Sequence, residues 1–255
     1  FLAAYYEDGS ASRPRLRVYD VAARDAPSAY LQALADGSDF VVGPLTREEV
    51  AALATLADGR ATTLALNFLP DGVAVPDRFY QYALSPEDEA RAVARRLVSH
   101  GMRRGVVLTP RGDWGTRVEA AFSEELTAAG GQVLGAATFD AGANDFGASI
   151  KNVMRIDDSI ARHRRLQTIV GQKLEFEPRR RPDVQFIFAP SPAATARMLR
   201  PQLKFYMAGD IPTYTVSDAY DPARLGGDDV DGLVFPDMPW VLGTGALTAK
   251  VRSEL

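Results

Sequence analysis

The side chains best suited to chemistry in this sequence are two histidines, several carboxylate clusters, a run of arginines, and a Thr–Glu pair behind a Gly-Pro turn. His100 in "LVSHG" and His163 in "ARHRR" are able to exchange protons near neutral pH. A metal site or a Ser-His-Asp arrangement would need convergent partners, and the flanking sequence supplies none at usable spacing. His163, set among Arg162, Arg164 and Arg165, reads as a surface residue. The carboxylates of "PEDEA" and "GGDDVDG" suit a helix start and an acidic loop better than paired acid–base work. GxGxxG, GxxxxGK[ST], HExxH and GxSxG are all absent, and "GDWG" and "GANDFG" lack the strand-then-helix setting of phosphate loops. With no Cys, disulfides, thiolate metal sites and thiol nucleophiles are excluded. The expectation is a protein that is not an enzyme and carries no cofactor or metal.

Binding is a different matter. In "DFVVGPLTREEV" a bare apolar run stops at Gly43-Pro44-Leu45, and Thr46 with Glu49 forms a T-x-x-E capping box. Such a junction exposes backbone N–H groups at a helix start. In open α/β sheets, ligands sit off the carboxyl ends of strands. Asn67, Ser85, Asp113, Trp114, Ser217 and Asp218 fall at equivalent ends, so with Gly43, Pro44, Leu45 and Thr46 they form a candidate cleft. For an amino-acid ligand, Thr46 with backbone amides would take the carboxylate, and Asp113 or Asp218 the ammonium. Each residue alone is more often a cap than a ligand contact. A second candidate is electrostatic: residues 151–181 hold nine Lys or Arg against four Asp or Glu, whereas residues 210–237 hold seven Asp and one Arg. Either the blocks meet as ion pairs within one domain, or Arg162, Arg164, Arg165, Arg179, Arg180 and Arg181 form a docking surface for another protein.

The elements that must position these groups alternate in type. Strands are predicted at 16–21, 40–43, 62–68, 79–84, 105–109, 132–139, 184–189, 212–216 and 232–235. Several are near-continuous in apolar residues, as strands covered on both faces are. Between them, Ala90, Val93, Ala94, Leu97 and Val98 follow one helix face, with Ser85 as N-cap and Pro86 at the first position. Residues 116–129 repeat that logic and end at Gly130-Gly131. Residues 140–182 show only helical patterns, a helical insertion. The alternation argues an α/β fold with two doubly wound, parallel-sheet lobes and a cleft between them. The first lobe takes residues 1–84 and 237–255, the second 85–236, with a second crossing near Pro236–Trp240.

At 255 residues, 46% apolar and 24% charged, the chain can bury real cores. No apolar run approaches the roughly 20 residues a bilayer span needs. A net charge of −4 gives no argument for nucleic acid or an anionic membrane as partner. The first residues, "FLAAYYEDG", and the last, "GALTAKVRSEL", both read as helices cut short, so the chain reads as a fragment incomplete at both ends.

The ordered set "DFVVGPL", "LALN", "FYQYALSPEDEARAVARRL", "GVVLTPRGDWGTRV", "FEPRRRPDVQFIFAPSPAATARMLRPQLKFY", "IPTYTVSD" and "GLVFPDMPWVL" resembles the carboxyl-terminal domain of the LpoA/LppC family of penicillin-binding-protein activator lipoproteins. The resemblance runs from Phe1 to about Leu242, and "ALSPEDEA" with "PRRRPD" and "FPDMPW" is its most specific part. It implies a type I periplasmic-binding-protein fold. It also implies a helical-repeat region and a lipidated Cys upstream, and tethering to the inner face of the outer membrane on the periplasmic side. The implied partner is a class A penicillin-binding protein, a peptidoglycan synthase stimulated through protein contact, with membrane contact only through the lipid anchor. The alternative is a periplasmic solute-binding or ligand-sensing protein that takes an amino acid, sugar or muropeptide in the cleft.

Overall fold

A computed structural model describes Tyr5, Ser10 and residues 13–21, 24–70, 72–140, 142–221 and 230–238. The chain divides between Leu84 and Ser85 into two compact units. Of the expected return crossing near Pro236–Trp240 only residues 236–238 are described; the residues after them, most of the first nine and residues 222–229 lie outside the described residues.

In the first unit, helix α1 (Ala26–Ala35) starts at Asp25, whose side chain accepts the Ser28 N–H at 2.8 Å. Strand β1 (Phe40–Val42), helix α2 (Arg47–Ala54), β2 (Thr62–Ala65) and β3 (Phe79–Gln81) follow. The three strands form a parallel sheet in the order β1-β2-β3. Tyr30, Val50, Leu53, Ala65, Leu69 and Phe79 make its core. The strand expected at 16–21 is absent. Its apolar–polar alternation suits a sheet, but no described strand offers it a ladder, and a lone extended segment has nothing to pair its backbone with. Polar contacts hold it instead: Arg17 pairs with Asp36 at 2.8 Å and the Tyr19 hydroxyl donates to the same carboxylate at 2.9 Å, leaving Val18 81% exposed.

The second unit runs α3 (Pro86–Ser99), β4 (Arg104–Pro110), α4 (Asp113–Ala128), β5 (Gln132–Phe139), α5 (Gly147–Met154), α6 (Ile156–Val170), β6 (Phe186–Phe188), α7 (Ala193–Phe205), β7 (Thr213–Tyr214), a 3-10 turn at Ser217–Ala219, and β8 (Leu233–Val234). All five strands are parallel, in the order β5-β4-β6-β7-β8. The chain therefore leaves β4 toward one edge and then returns to build the other. The period-2 alternation of strands sorts side chains onto two faces. Val107, Phe186 and Phe188 pack under α3 and α4 with Ala90, Val93, Leu97, Val118, Phe122 and Leu126. Val106, Leu108 and Ile187 pack on the opposite face with Ile150, Met154, Leu199 and Leu203. The ring of Phe122 stacks on Phe188 at 4.0 Å and meets Phe186 edge-on at 6.0 Å.

Close approach dictates one glycine here. A Cβ on Gly115 would stand 1.9 Å from the Pro110 carbonyl oxygen, so only glycine lets α4 start so near the end of β4. The expected helical insertion contains α5 and α6, separated by Arg155 in the left-handed region at φ 54°. At the β5 edge, Arg181 Nη1 donates to the Leu134 carbonyl at 3.1 Å and Ser149 Oγ to the Thr138 carbonyl at 2.8 Å.

Because Phe122 is fully buried and stacked, Phe122→Ala is expected to destabilise the second unit by about 3–5 kcal/mol, read as a fall in the denaturant midpoint at unchanged slope. A loss under 1 kcal/mol would contradict this account of the core.

Candidate functional site

The ten expected cleft residues fall into two groups, one in each unit. In the first unit, β1 ends at Gly43, whose φ of 113° favours glycine, and the Gly43–Pro44 peptide is cis. The Gly43 N–H donates to the Leu64 carbonyl at 2.9 Å, and Pro44 accepts from Leu66 N–H at 3.0 Å. Asn67 then ties the turn: its Nδ2 donates to the Leu45 carbonyl at 2.9 Å and its Oδ1 accepts the Phe68 N–H at 2.9 Å. The capping box forms in full. Glu49 N–H donates to Thr46 Oγ1 at 3.3 Å, while Thr46 N–H and Oγ1 donate to Glu49 Oε2 at 3.3 and 2.8 Å. Gly43, Pro44, Leu45, Thr46 and Asn67 are thus brought together, with the polar side chains engaged inside the turn and Leu45 exposed.

In the second unit, Ser85 caps α3: Asp88 N–H donates to Ser85 Oγ at 3.3 Å, and Ser85 Oγ donates to Glu87 Oε2 at 2.8 Å. Arg117 of α4 donates to the other Glu87 oxygen at 2.7 Å. Glu89 holds the end of β7, accepting the Ser217 N–H at 2.6 Å and the Ser217 hydroxyl at 2.7 Å. Ser85, Ser217 and Asp218 therefore gather around the first turn of α3. Asp113 is exposed at the start of α4, and Trp114 packs against the aromatic core with Val118 and Phe122.

The electrostatics of this cluster are unequal. Burial pushes the Glu87 carboxyl up, but the Arg117 and Ser85 hydrogen bonds outweigh it and leave the group below its ordinary value. Burial pushes Glu89 up, and despite its bonds to Ser217 the negative charges of Asp218 and Asp237 help keep it raised. Burial likewise raises Asp218. Glu87, Glu89 and Arg117 had not been expected at the site. A signal existed for one of them: Glu89 precedes Val93 and Leu97 at four-residue spacing, which places a carboxylate on the buried stripe of α3. Among the described residues no group of three or more His, Asp or Glu side chains is disposed to hold a metal ion. His163 is partly buried rather than simply at the surface, stacked on Phe176 at 4.2 Å.

The six arginines are not equivalent. Arg181 binds Asp183 at 2.7 and 2.9 Å as well as the β5 edge, and Arg180 pairs with Asp210 at 2.6 Å. The backbone N–H of Arg179 donates to Ser159 Oγ at 3.2 Å. Arg162, Arg164 and Arg165 lie exposed on α6.

A family model described as "LppC putative lipoprotein" matches residues 1–252. The penicillin-binding protein activator LpoA of Vibrio antiquarius (strain Ex25) is 29% identical over 247 residues, covering 94% of this chain and 41% of that protein. The chain thus spans about two fifths of the length of the curated relatives it matches across most of its own length. Among solved structures, the LpoA (YraM) C-domain from Haemophilus influenzae, described as a regulator of PBP1A, superimposes with a TM-score of 0.64 at 20% identity, over 99% of this chain and 72% of that one. An ABC transporter substrate-binding protein from Sphaerobacter thermophilus gives 0.68 at 18% identity, over 99% and 68%. Both likenesses show the α/β fold of periplasmic binding proteins.

Two outcomes follow from the hydrogen bonds above. Thr46→Ala removes the cap acceptor and is expected to cost about 1 kcal/mol in the denaturation of the first unit, with Thr46→Ser retaining most of it. The folded state holds the Glu89 proton more tightly than the unfolded state does, so ionised Glu89 costs stability near neutral pH. That cost is relieved as pH falls through the raised folded value and is gone below the ordinary 4.5. Glu89→Gln lacks this relief, so its melting temperature should fall relative to wild type between pH 7 and pH 4; parallel profiles would refute it.

Proposed function

This chain belongs to the LppC lipoprotein family, and from that membership we propose that it is the carboxyl-terminal part of a non-enzymatic activator of a class A penicillin-binding protein. The activator works in the periplasm through protein–protein contact, tethered by an upstream lipid anchor to the inner face of the outer membrane. The observation that carries this reading is the match, across 94% of the chain, to a protein named penicillin-binding protein activator LpoA. The fold likeness to a C-domain described as a regulator of PBP1A agrees with it.

The local chemistry supports the same direction. The polar groups at the carboxyl ends of the strands are engaged in holding turns and helix starts: Thr46 with Glu49, Asn67 with Leu45, Ser85 with Glu87, and Ser217 with Glu89. They act here as positioning groups. The arginine surface differs, because Arg162, Arg164 and Arg165 point their charge at solvent. In this reading the six-arginine docking surface narrows to that helix, with Arg180 and Arg181 engaged by Asp210, Asp183 and the β5 edge.

The full-length lipoprotein is expected to co-purify with a class A penicillin-binding protein and to raise its rate of glycan polymerisation. The isolated chain serves as a second arm that tells whether this part suffices. No association and an unchanged rate with the full-length protein would overturn the proposal.

A further inference from the structure

Helix α6 is built to be held at one end and offered at the other. Its first turns are anchored: Ile156 and Ser159 are buried, and Ser159 Oγ accepts the Arg179 N–H. Further along, only His163 and Gln167 stay partly covered, the former by its stack on Phe176. Leu166 and Val170 continue roughly the direction of that inward stripe, yet they are 52% and 51% exposed, and Ile169 is 70% exposed. The packing that covers the start of the helix stops short of its last turns.

At 3.6 residues per turn, Arg165, Ile169, Arg162, Leu166 and Val170 follow one another around roughly 140° of arc. Cations and aliphatic side chains alternate on that face. The last turn, where a cation would offset the helix dipole, holds none. Among the described residues Arg162, Arg164 and Arg165 form no ion pair, whereas Arg180 and Arg181 nearby both do. The chain as a whole carries a net charge of −4, and the three arginines follow Asp157 and Asp158 of the first turn, so the cations are confined to the middle of the helix.

We infer that the exposed face of α6, centred on Arg162, Arg165, Leu166 and Ile169, is the surface that docks on the synthase, into an apolar groove rimmed by carboxylates. The inference rests on the activator reading above. Aliphatic anchors at i, i+3 and i+4 beside arginines are the pattern of a helix laid in a groove, and arginine suits such a rim because its planar fork meets carboxylates bidentately. An anionic membrane fits less well. Interfacial helices bind in proportion to buried apolar area, and this face offers three aliphatic side chains and no aromatic one.

The test uses full-length lipoprotein and purified class A penicillin-binding protein, with binding measured at low and high salt and glycan polymerisation followed in parallel. Arg162→Glu with Arg165→Glu should weaken binding by about tenfold or more and flatten its salt dependence. Leu166→Ser with Ile169→Ser should raise the dissociation rate with the salt dependence retained. Both variants should melt with wild type, since all four side chains are exposed. Wild-type binding by both variants overturns this inference and leaves the activator reading standing. Failure of wild type itself to bind or stimulate overturns both. Unchanged synthase binding with lost binding to vesicles of anionic phospholipid overturns it in favour of a membrane contact.

Discussion

The two-sided burial of β4 and β6 is the constraint from which the second unit is built. Val106, Val107 and Leu108 alternate between faces and all three are fully buried, as are Phe186, Ile187 and Phe188 beside them. A strand with apolar side chains on both sides is stable only where helices cover both, and parallel pairing requires a crossover between each strand and the next. Helices α3 and α4 take one face, and α5, α6 and α7 the other. The Phe122–Phe188 stack fixes how closely α4 sits on the sheet, and Gly115 lets its first turn approach the end of β4. From that follow the positions of Trp114 and Arg117, and through Arg117 the hold on Glu87 at the start of α3.

Where the polar groups lie is a consequence of this arrangement. Strands of one sheet running in parallel all end at the same side, so their carboxyl ends crowd helix starts together with acidic caps. The helix dipole favours that charge, and Glu87 takes a guanidinium partner. Glu89 has no cation in the ion pairs of the described residues; it accepts two hydrogen bonds from Ser217 and meets the negative charges of Asp218 and Asp237. These groups join α3 to α4 and to the turn after β7.

Local rules carried far in the sequence. Strand β5 covers the same residues, 132–139, that its apolar run marks out, and α3 shows the buried face implied by Ala90, Val93, Ala94 and Leu97. The capping box at Thr46 forms between residues three apart. The misses are of a different physical kind. Residues 16–21 have a strand pattern, but a strand needs a neighbour and local alternation does not supply one. The arginine block looked uniform because the partners that divide it are distant or unmarked: Asp210 lies thirty residues from Arg180, and the Leu134 carbonyl forty-seven from Arg181. His163 reads as an ordinary surface residue because the ring that covers it, Phe176, comes from the loop after the helix.

The covered carbonyls on β5 carry a further meaning. An eight-residue edge strand is a template on which an extended chain can zip. Arg181 and Ser149 occupy two acceptors that such a newcomer would use, four residues apart along the strand. Generic main-chain pairing is disfavoured at these two positions. A fold that silences its own backbone in this way trades stickiness for selectivity.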